Sequence, residues 1–158
     1  MKIGHGYDAH RLKRGLTLRL GGVDVPNDQG LEGHSDGDVV IHAVIDAVLG
    51  ATGLGNIGRH FPSSDERWRG ARSLDMLREV AVLLRGKNFE IGNVDVTVVA
   101  ERPRLDENVA SMQVVMAEAL GTEADRISVK AKTTDGLGFE GAGEGISATA
   151  VALLQYIT

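Results

Sequence analysis

Cysteine is absent from the 158-residue sequence, so the chain can form neither disulfide bonds nor thiolate metal sites. Lysine and arginine are not clustered, and the formal net charge is −5. This argues against a nucleic-acid-binding surface, which needs a basic stripe that displaces counterions from phosphates. No apolar run approaches the roughly 20 residues of a membrane-spanning helix. Any tightly bound metal must therefore be held by histidine and carboxylate. Any phosphate must be bound by a few residues at one site, since the chain has no extended basic surface.

The residues that are present have the mixture of a globular protein, with 42% hydrophobic and 25% charged residues. A chain of this length can bury a substantial core, so we expect residues 1–158 to form one domain. Met1 leads directly into a strand-like segment without a targeting peptide. We therefore expect a soluble, unprocessed protein, and the lack of cysteine fits a reducing cytoplasm.

Hydrophobic periodicity predicts both strands and helices. A period of two, typical of half-buried strands, occurs in residues 2–7, 16–25, 93–101 and 126–134, and the tail 145–157 is favoured as a final strand.

Helical spacing of apolar residues occurs in residues 38–51, 74–84 and 109–120. Gly86 and Gly121 are predicted to terminate the second and third of these helices as C′ residues. Because strands and helices do not alternate regularly, we predict an α+β fold, in which a mixed β-sheet carries helices on one face.

Two turn-rich stretches, residues 53–70 and 136–145, are predicted to be long loops that concentrate ligand contacts. The second contains Gly136, Gly138 and Gly141 in the spacing G-x-G-x-x-G. A dinucleotide site would also need a helix and an acidic residue roughly 20 positions further on, but the chain ends at Thr158. We interpret these glycines as allowing a tight loop whose backbone approaches a ligand or another chain.

Asp8 and His10 stand two residues apart at the predicted end of the first strand, so their side chains project from the same face. They could share one metal ion, or the histidine could simply be satisfied by its neighbouring carboxylate.

A polar stripe runs along the first predicted helix, because Asp38, His42 and Asp46 recur at i, i+4 and i+8 among apolar residues. Buried polar groups are costly unless they are paired or used. One interpretation is a hydrogen-bonded Asp–His–Asp stripe. The other makes His42 a third metal ligand, with a carboxylate behind it that orients the ring.

Two histidines and one aspartate leave a fourth tetrahedral position open, which is the arrangement of a catalytic zinc site that a phosphate oxygen could enter. His34 and Ser35 precede the first helix, whose N-terminus favours anions. Ser35 could contact phosphate, or it could be the N-cap with Asp38 at capping-box spacing.

The chain resembles the 2-C-methyl-D-erythritol 2,4-cyclodiphosphate synthase family across essentially its whole length. The resemblance rests on a set of blocks that occur in the same order: IGHGYDAH (3–10), GHSDGD (33–38) followed by His42 and Asp46, LGNIG (54–58), FP (61–62), GNVDVT (92–97), VKAKTT (129–134), LGF (137–139) and GEGI (143–146).

The resemblance implies a lyase of non-mevalonate isoprenoid precursor biosynthesis. The substrate would be 4-diphosphocytidyl-2-C-methyl-D-erythritol 2-phosphate, whose 2-phosphate attacks the β-phosphorus while CMP leaves. It also implies a homotrimer with active sites between chains. Positioning and charge neutralisation would contribute more to such a phosphoryl transfer than a protein nucleophile.

The resemblance further assigns roles to residues. Asp8, His10 and His42 would bind zinc, and Asp135 would bind magnesium or manganese. His34 and Thr133 would stabilise the transition state. The expected substrate-binding residues are Ser35, Asn56, Ile57, Gly58, Phe61, Asp65, Ala100, Arg104, Leu105, Lys132, Thr134 and Phe139.

Five positions depart from the family pattern: Asn56 replaces aspartate, Ser63 and Ser64 replace aspartate and threonine, Asp135 replaces glutamate and Ala142 replaces arginine. Asn56 loses the charge-assisted form of a ribose contact, and Ala142 removes a cation that could meet an isoprenoid diphosphate. A metal-dependent phosphohydrolase and a non-catalytic nucleotide-binding protein are the alternative functions.

Overall fold

A five-stranded mixed sheet forms the framework of the chain in the computed structural model, which describes residues 1–157. The strands are β1 (Lys2–Arg14), β2 (Leu18–Leu20), β3 (Val23–Val25), β4 (Gln29–Leu31), β5 (Phe89–Val99), β6 (Ile127–Lys132) and β7 (Gly145–Tyr156). The sheet order is β4-β1-β7-β5-β6, while β2 and β3 form a separate hairpin. Only the β5–β6 pair is parallel, so the sheet is mixed as predicted.

Three long helices pack on one face of this sheet. The helices are α1 (Val39–Thr52), α2 (Ile57–His60), α3 (Ser73–Gly86), α4 (Val109–Leu120) and α5 (Gly138–Gly141). Helix α1 lies on β1 and β7, α4 lies on β6, and α3 contacts both α1 and α4. Alternate residues of β5, including Val94, Val96 and Val98, are buried beneath them, as the period of two predicts.

The first strand approaches α1 unusually closely. A Cβ atom at Gly4 would lie 1.8 Å from the carbonyl oxygen of Ala47, and one at Gly6 would lie 1.9 Å from that of Ala43. Glycine at both positions therefore lets the helix pack directly on the strand backbone. Asp8 and His10 are the next residues on this face, so they are placed beside the N-terminal half of α1.

Most predicted elements are confirmed, including the final strand, and three details are wrong. Strand β1 runs on to Arg14, so Asp8 and His10 lie within the strand and not at its end. Residues 16–25 form a hairpin, because Gly21 and Gly22 both adopt positive φ and turn the chain. Gly86 remains inside α3 and the chain turns at Asn88, whose φ is 60°, whereas Gly121 does terminate α4.

The glycine-rich segment 136–145 folds back on itself. A Cβ atom at Gly141 would lie 2.2 Å from the carbonyl carbon of Gly136, so this glycine is needed for contact within the loop. The segment contains only the single turn α5, which does not resemble the helix of a dinucleotide site. Among residues 1–157, no helix combines the length and the apolar character needed to cross a membrane.

Candidate metal centre and active site

Three potential metal-binding atoms converge where β1 meets α1. Asp8 Oδ2 lies 2.9 Å from both His10 Nε2 and His42 Nδ1, and the two nitrogens are 3.2 Å apart. His42 is buried, while Asp8 and His10 are partly exposed on the rim. Asp8 and His10 on the strand and His42 on the helix, which the sequence indicated as possible ligands, are thus brought into one cluster.

The cluster fits a zinc ion by donor type and by spacing. Tetrahedral zinc sites accept imidazole nitrogen and carboxylate oxygen at about 2.0–2.2 Å, which places ligand atoms roughly 3.3 Å from one another. The three observed separations lie close to that value. The same donors accept other divalent transition metals, so the geometry indicates a metal centre without identifying the ion.

Each histidine has a hydrogen-bonding partner for the ring nitrogen that faces away from the cluster. His10 Nδ1 lies 2.6 Å from the carbonyl oxygen of Glu32, an obligate acceptor, so this nitrogen carries the proton. His42 Nε2 lies 2.8 Å from Ser73 Oγ and 3.1 Å from Ser35 Oγ. A hydrogen bond on the outer nitrogen fixes the tautomer and leaves the inner nitrogen free to bind metal.

The charges of the cluster reinforce each other. Burial raises the pKa of Asp8, but the imidazole rings of His10 and His42 beside its carboxylate outweigh this effect and hold the pKa well below its usual range. Burial lowers the pKa of His10, but the hydrogen bond and charge of Asp8 raise it above its ordinary value. Asp8 is therefore a carboxylate at neutral pH, which is the form that binds a metal ion.

Asp38 and Asp46 lie on either side of His42 but bond elsewhere. Asp38 is the N-cap of α1, and its carboxylate accepts hydrogen bonds from the backbone N–H groups of Gly21, Gly22 and Ile41. Asp46 Oδ1 accepts from the backbone N–H of Ile57 at 2.7 Å. Asp38 therefore fixes the start of the helix that carries His42, and Asp46 holds the loop that precedes α2.

His34 and Ser35 border the cluster on the side of the α1 N-terminus. Ser35 Oγ lies 3.1 Å from His42 Nε2, and His34 Nε2 lies 3.2 Å from the carbonyl oxygen of Asp65. The N-cap is Asp38, so the alternative in which Ser35 caps α1 is wrong. The hydroxyl of Ser35 is thereby available at the edge of the metal centre.

The residues expected around the ribose form the one-turn helix α2 and its flanks. Asn56 caps α2 by accepting a hydrogen bond from the backbone N–H of Arg59 through Oδ1. Phe61 is buried edge-to-face against Trp68, with ring centroids 4.9 Å apart. Arg67 donates hydrogen bonds to the partly exposed Asp65 carboxylate, which is therefore already paired and has a lowered pKa.

A cavity of about 770 Å³ opens beyond the ends of β5 and β6. Residues 100–106 and 131–133 line it, together with Asn27. The lining includes four of the predicted substrate-binding residues, Ala100, Arg104, Leu105 and Lys132, and the predicted catalytic residue Thr133.

The other residues predicted for this half of the site, Thr134, Asp135 and Phe139, do not line the cavity. Asp135 Oδ1 accepts a hydrogen bond of 3.4 Å from Thr133, and Thr134 Oγ1 donates to the carbonyl oxygen of Leu137. Phe139 lies instead over Gly145, where an added Cβ would be 3.1 Å from the phenyl ring.

The cavity and the metal cluster are separated across the sheet. The strand registers align Asp8 with Ala148, Ala148 with Val98, and Val98 with Ala131. Three strand spacings correspond to roughly 14 Å between the backbones of Asp8 and Ala131. Among the described residues, none of those lining the cavity belongs to the metal cluster.

Two residues beside the metal cluster were not found from the sequence. Ser73 is fully buried at the start of α3, and its hydroxyl donates a 2.5 Å hydrogen bond to Asp36 Oδ1. Asp36 Oδ2 also accepts from the backbone N–H of Ser73 at 3.0 Å. Asp36 lies within the GHSDGD block, but nothing in the local pattern indicates that residue 73 meets it.

The sequence model of the YgbB family matches residues 1–155. The chain belongs to this family. The 2-C-methyl-D-erythritol 2,4-cyclodiphosphate synthase of Geotalea daltonii is 56% identical over 155 residues, which cover 98% of this chain and 91% of that protein. The enzyme of the same name from Geobacter metallireducens is 54% identical over 155 residues, covering 98% of this chain and 99% of that protein.

Solved structures of related proteins have the same fold as this YgbB-family chain. A 2C-methyl-D-erythritol-2,4-cyclodiphosphate synthase in its CDP-bound form matches with a TM-score of 0.89 and 38% identity, covering 98% of this chain and 100% of that one. The bifunctional IspDF from Campylobacter jejuni matches with a TM-score of 0.94 and 39% identity over 98% of this chain. This chain spans only 42% of that bifunctional protein.

Proposed function

We propose that this YgbB-family chain converts 4-diphosphocytidyl-2-C-methyl-D-erythritol 2-phosphate to 2-C-methyl-D-erythritol 2,4-cyclodiphosphate and CMP, as a single catalytic domain of a cytoplasmic enzyme. The observation that carries the proposal is the convergence of Asp8, His10 and His42 in a chain that is 56% identical to a synthase of that name. The reaction is an intramolecular phosphoryl transfer in isoprenoid precursor biosynthesis.

The bond changes define what the protein must do. An oxygen of the 2-phosphate forms a bond to the β-phosphorus, while the bond from that phosphorus to the oxygen bridging it to the α-phosphate breaks. The electron pair leaves with CMP, and no water is consumed. Such a transfer depends on alignment of the attacking and leaving oxygens and on neutralisation of the charge that spreads over the phosphoryl group.

The proposed metal is zinc, held by Asp8 Oδ2, His10 Nε2 and His42 Nδ1. When bound there, zinc supplies a Lewis acid that neutralises negative charge on a phosphoryl oxygen. Asp135 is the proposed contact for a second ion, magnesium or manganese, that would meet the diphosphate from the nucleotide side. Its exposed carboxylate next to Thr133 supports this assignment.

His34 and Ser35 are proposed to hold the diphosphate beside the metal centre. The Ser35 hydroxyl lies at the edge of the cluster, and the His34 ring is fixed through the carbonyl oxygen of Asp65. Both residues precede α1, whose N-terminal dipole favours anions. Thr133 is proposed to donate a hydrogen bond to the reacting phosphate from the cavity side.

The cavity beyond β5 and β6 is proposed to take the cytidine. Its volume of about 770 Å³ suits a nucleotide, and it combines Arg104 and Lys132 with buried Ala100 and Leu105. The CDP-bound form of the related synthase is consistent with a nucleotide site in the fold. Ile57 and Gly58, beside Asn56, would approach the ribose.

A homotrimer with shared active sites would join the two halves. The roughly 14 Å across three strand spacings separates the metal ligands from the cavity within one chain. The sheet face opposite the helices also exposes Ile3, Tyr7 and Val151, with 72%, 53% and 42% of their surfaces accessible. An apolar sheet face without a covering layer supports burial against neighbouring copies.

The departures from the family pattern alter the rim of the site. The Oδ1 atom of Asn56 already accepts from Arg59 N–H, so its amide group is left to donate to a ribose hydroxyl. Ser63 removes one negative charge from the loop before Asp65. Ala142 provides no cation for an isoprenoid diphosphate, and we expect no response to such ligands through this position.

Product analysis tests the proposed reaction. The protein is incubated with the cytidyl substrate, zinc and magnesium, and the products are identified by phosphorus NMR and mass spectrometry. The synthase yields CMP and a cyclic diphosphate that contains no oxygen from labelled water. A linear phosphate carrying that label would instead show a hydrolase, and unchanged substrate would show a binding protein.

A further inference from the structure

The two proposed histidine ligands are oriented by different kinds of groups. His10 is held by a backbone carbonyl, that of Glu32, which a side-chain substitution does not delete. Among the described residues, the outer nitrogen of His42, Nε2, meets only side-chain hydroxyls, of which Ser73 Oγ is the nearer at 2.8 Å. The orientation of His42 therefore depends on side chains outside the metal cluster.

The hydrogen-bond directions around Ser73 follow from Asp36. The Ser73 hydroxyl has one proton, and it donates this proton to Asp36 Oδ1 at 2.5 Å. Only lone pairs of Ser73 Oγ then remain for His42, so the Nε2 atom of His42 must be the donor. With its proton on Nε2, the ring presents the lone pair of Nδ1 toward Asp8 and His10.

Asp36 is itself held rigidly in the fold. Its Oδ2 accepts from the backbone N–H of Ser73, its Oδ1 accepts from the N–H of Asp38 at 3.2 Å, and its own N–H donates to the carbonyl oxygen of Ala71. Ser73 is completely buried. The carboxylate therefore has one position, and so has the serine hydroxyl between it and the histidine.

We propose that Ser73 and Asp36 are positioning residues for the metal centre, acting as a carboxylate–serine–histidine relay that holds His42 in the tautomer and orientation needed to bind the ion. The inference rests on the proposed zinc site. Because Ser73 accepts the hydrogen bond from His42 Nε2, the hydroxyl of Ser35 remains free to donate to a phosphate. The relay thus separates the serine that orients the ligand from the serine that faces the substrate.

The alternative role for Asp36 and Ser73 is structural. Arg72, at the N-cap position of α3, makes no capping hydrogen bond with its side chain, and Asp36 satisfies the N–H of the first helical residue in its place. Ser73→Ala keeps this backbone hydrogen bond and removes only the hydroxyl. It therefore separates orientation of His42 from capping of α3.

The test measures zinc retention and folding stability in the same variants. Zinc release from the metal-loaded protein to a chromogenic chelator gives affinity, and thermal unfolding of the zinc-free protein gives stability. Ser73→Ala is expected to weaken zinc binding 10- to 100-fold, the usual effect of losing such an outer partner. Ser73→Thr keeps a hydroxyl and is expected to restore most of the affinity.

Ser147→Ala is the matched control. Ser147 is also a buried serine, and its hydroxyl donates to Glu140 Oε1 at 2.7 Å. It pairs with Ala9 in the sheet, so its side chain lies on the face opposite Asp8 and His10. Loss of this hydroxyl–carboxylate bond should lower stability by a similar amount and leave zinc affinity unchanged.

The outcomes distinguish the relay from the metal site itself. If Ser73→Ala binds zinc as tightly as the unaltered protein, or if Ser35→Ala weakens binding and Ser73→Ala does not, the relay is wrong. An equal loss of affinity in Ser147→Ala would also overturn it, because the effect would then be one of general stability. Failure of the unaltered protein to bind zinc would refute the proposed metal centre instead.

Discussion

Gly6 lies so close to α1 that a Cβ atom there would be 1.9 Å from the carbonyl oxygen of Ala43. The contact is with backbone atoms, which cannot rotate away. Since Asp8 follows on the same face of β1 and His42 precedes Ala43 on α1, the spacing between strand and helix also sets the spacing of the metal ligands.

Gly6→Ala is therefore expected to push α1 from the sheet, destabilising the protein by about 1–3 kcal/mol or more and weakening metal binding at the same time. Gly50→Ala is the control, because an added Cβ at this exposed position in the same helix meets nothing within 4 Å. It should stabilise α1 by about 0.5–1 kcal/mol. Chemical denaturation and metal titration of both variants measure the two effects. If folded Gly6→Ala protein bound the metal with normal affinity, the contact at Gly6 would not control the spacing of the metal ligands.

A second prediction concerns Asp38, the buried N-cap of α1. Burial, together with the charge of Asp36, raises the pKa of this carboxyl to about 6 from 3.8. The folded state thus binds the proton more tightly than the unfolded state. The stabilising contribution is complete below about pH 4 and is lost as the pH rises through about 6.

Asp38→Asn removes this titration. In the absence of zinc, the free energy of unfolding of the unaltered protein, measured relative to that of Asp38→Asn, should therefore fall by up to about 3 kcal/mol between about pH 4 and pH 6. The variant itself should be destabilised at low pH, because the NH2 group of its amide replaces an acceptor and would face a backbone N–H donor among those of Gly21, Gly22 and Ile41. Denaturation of both proteins across this range is the measurement. Parallel pH profiles would show that the Asp38 pKa is unshifted.

Much of this framework could be predicted from the sequence, because it follows from local patterns. The period of two in residues 93–101 and the helical spacing of 109–120 depend on burial of one face, and both elements formed as expected. The clustering of Asp8 with His10 and His42 was also accessible, since strand and helix periodicity place these side chains on faces that can meet.

The contacts that were missed depend on residues distant in sequence. Ser73 meets Asp36 across 37 positions, and no periodicity links the start of α3 to the GHSDGD block. The role of Asp38 depends on the amides of Gly21 and Gly22, which only the fold of the hairpin brings to α1. The prediction that Gly86 follows the end of α3 was wrong because Asn88 adopts positive φ and turns the chain two residues later.

A third prediction concerns His34 and Thr133, which are proposed to act on the reacting phosphates. His34→Ala and Thr133→Ala should each lower kcat on the order of 10²-fold and leave KM nearly unchanged, because the lost interaction forms mainly in the transition state. Steady-state kinetics with the cytidyl substrate separate the two constants. A raised KM at normal kcat would show that these side chains only hold the substrate.

A fourth prediction follows from the separation of the metal cluster and the cavity. His42→Ala and Asp135→Ala chains, each inactive alone, should regain partial activity when co-expressed, because some interfaces then pair two intact halves. Tagged chains verify that mixed trimers have formed. Mixed trimers as inactive as either parent would place both halves of the active site within one chain.

The metal content of the purified protein tests the central claim most directly. Elemental analysis of the unaltered protein should give one zinc ion per chain, and His42→Ala, folded by its circular dichroism, should retain less than about a tenth of it. Stoichiometric iron in the unaltered protein, or undiminished zinc in His42→Ala, would contradict a zinc centre built on Asp8, His10 and His42.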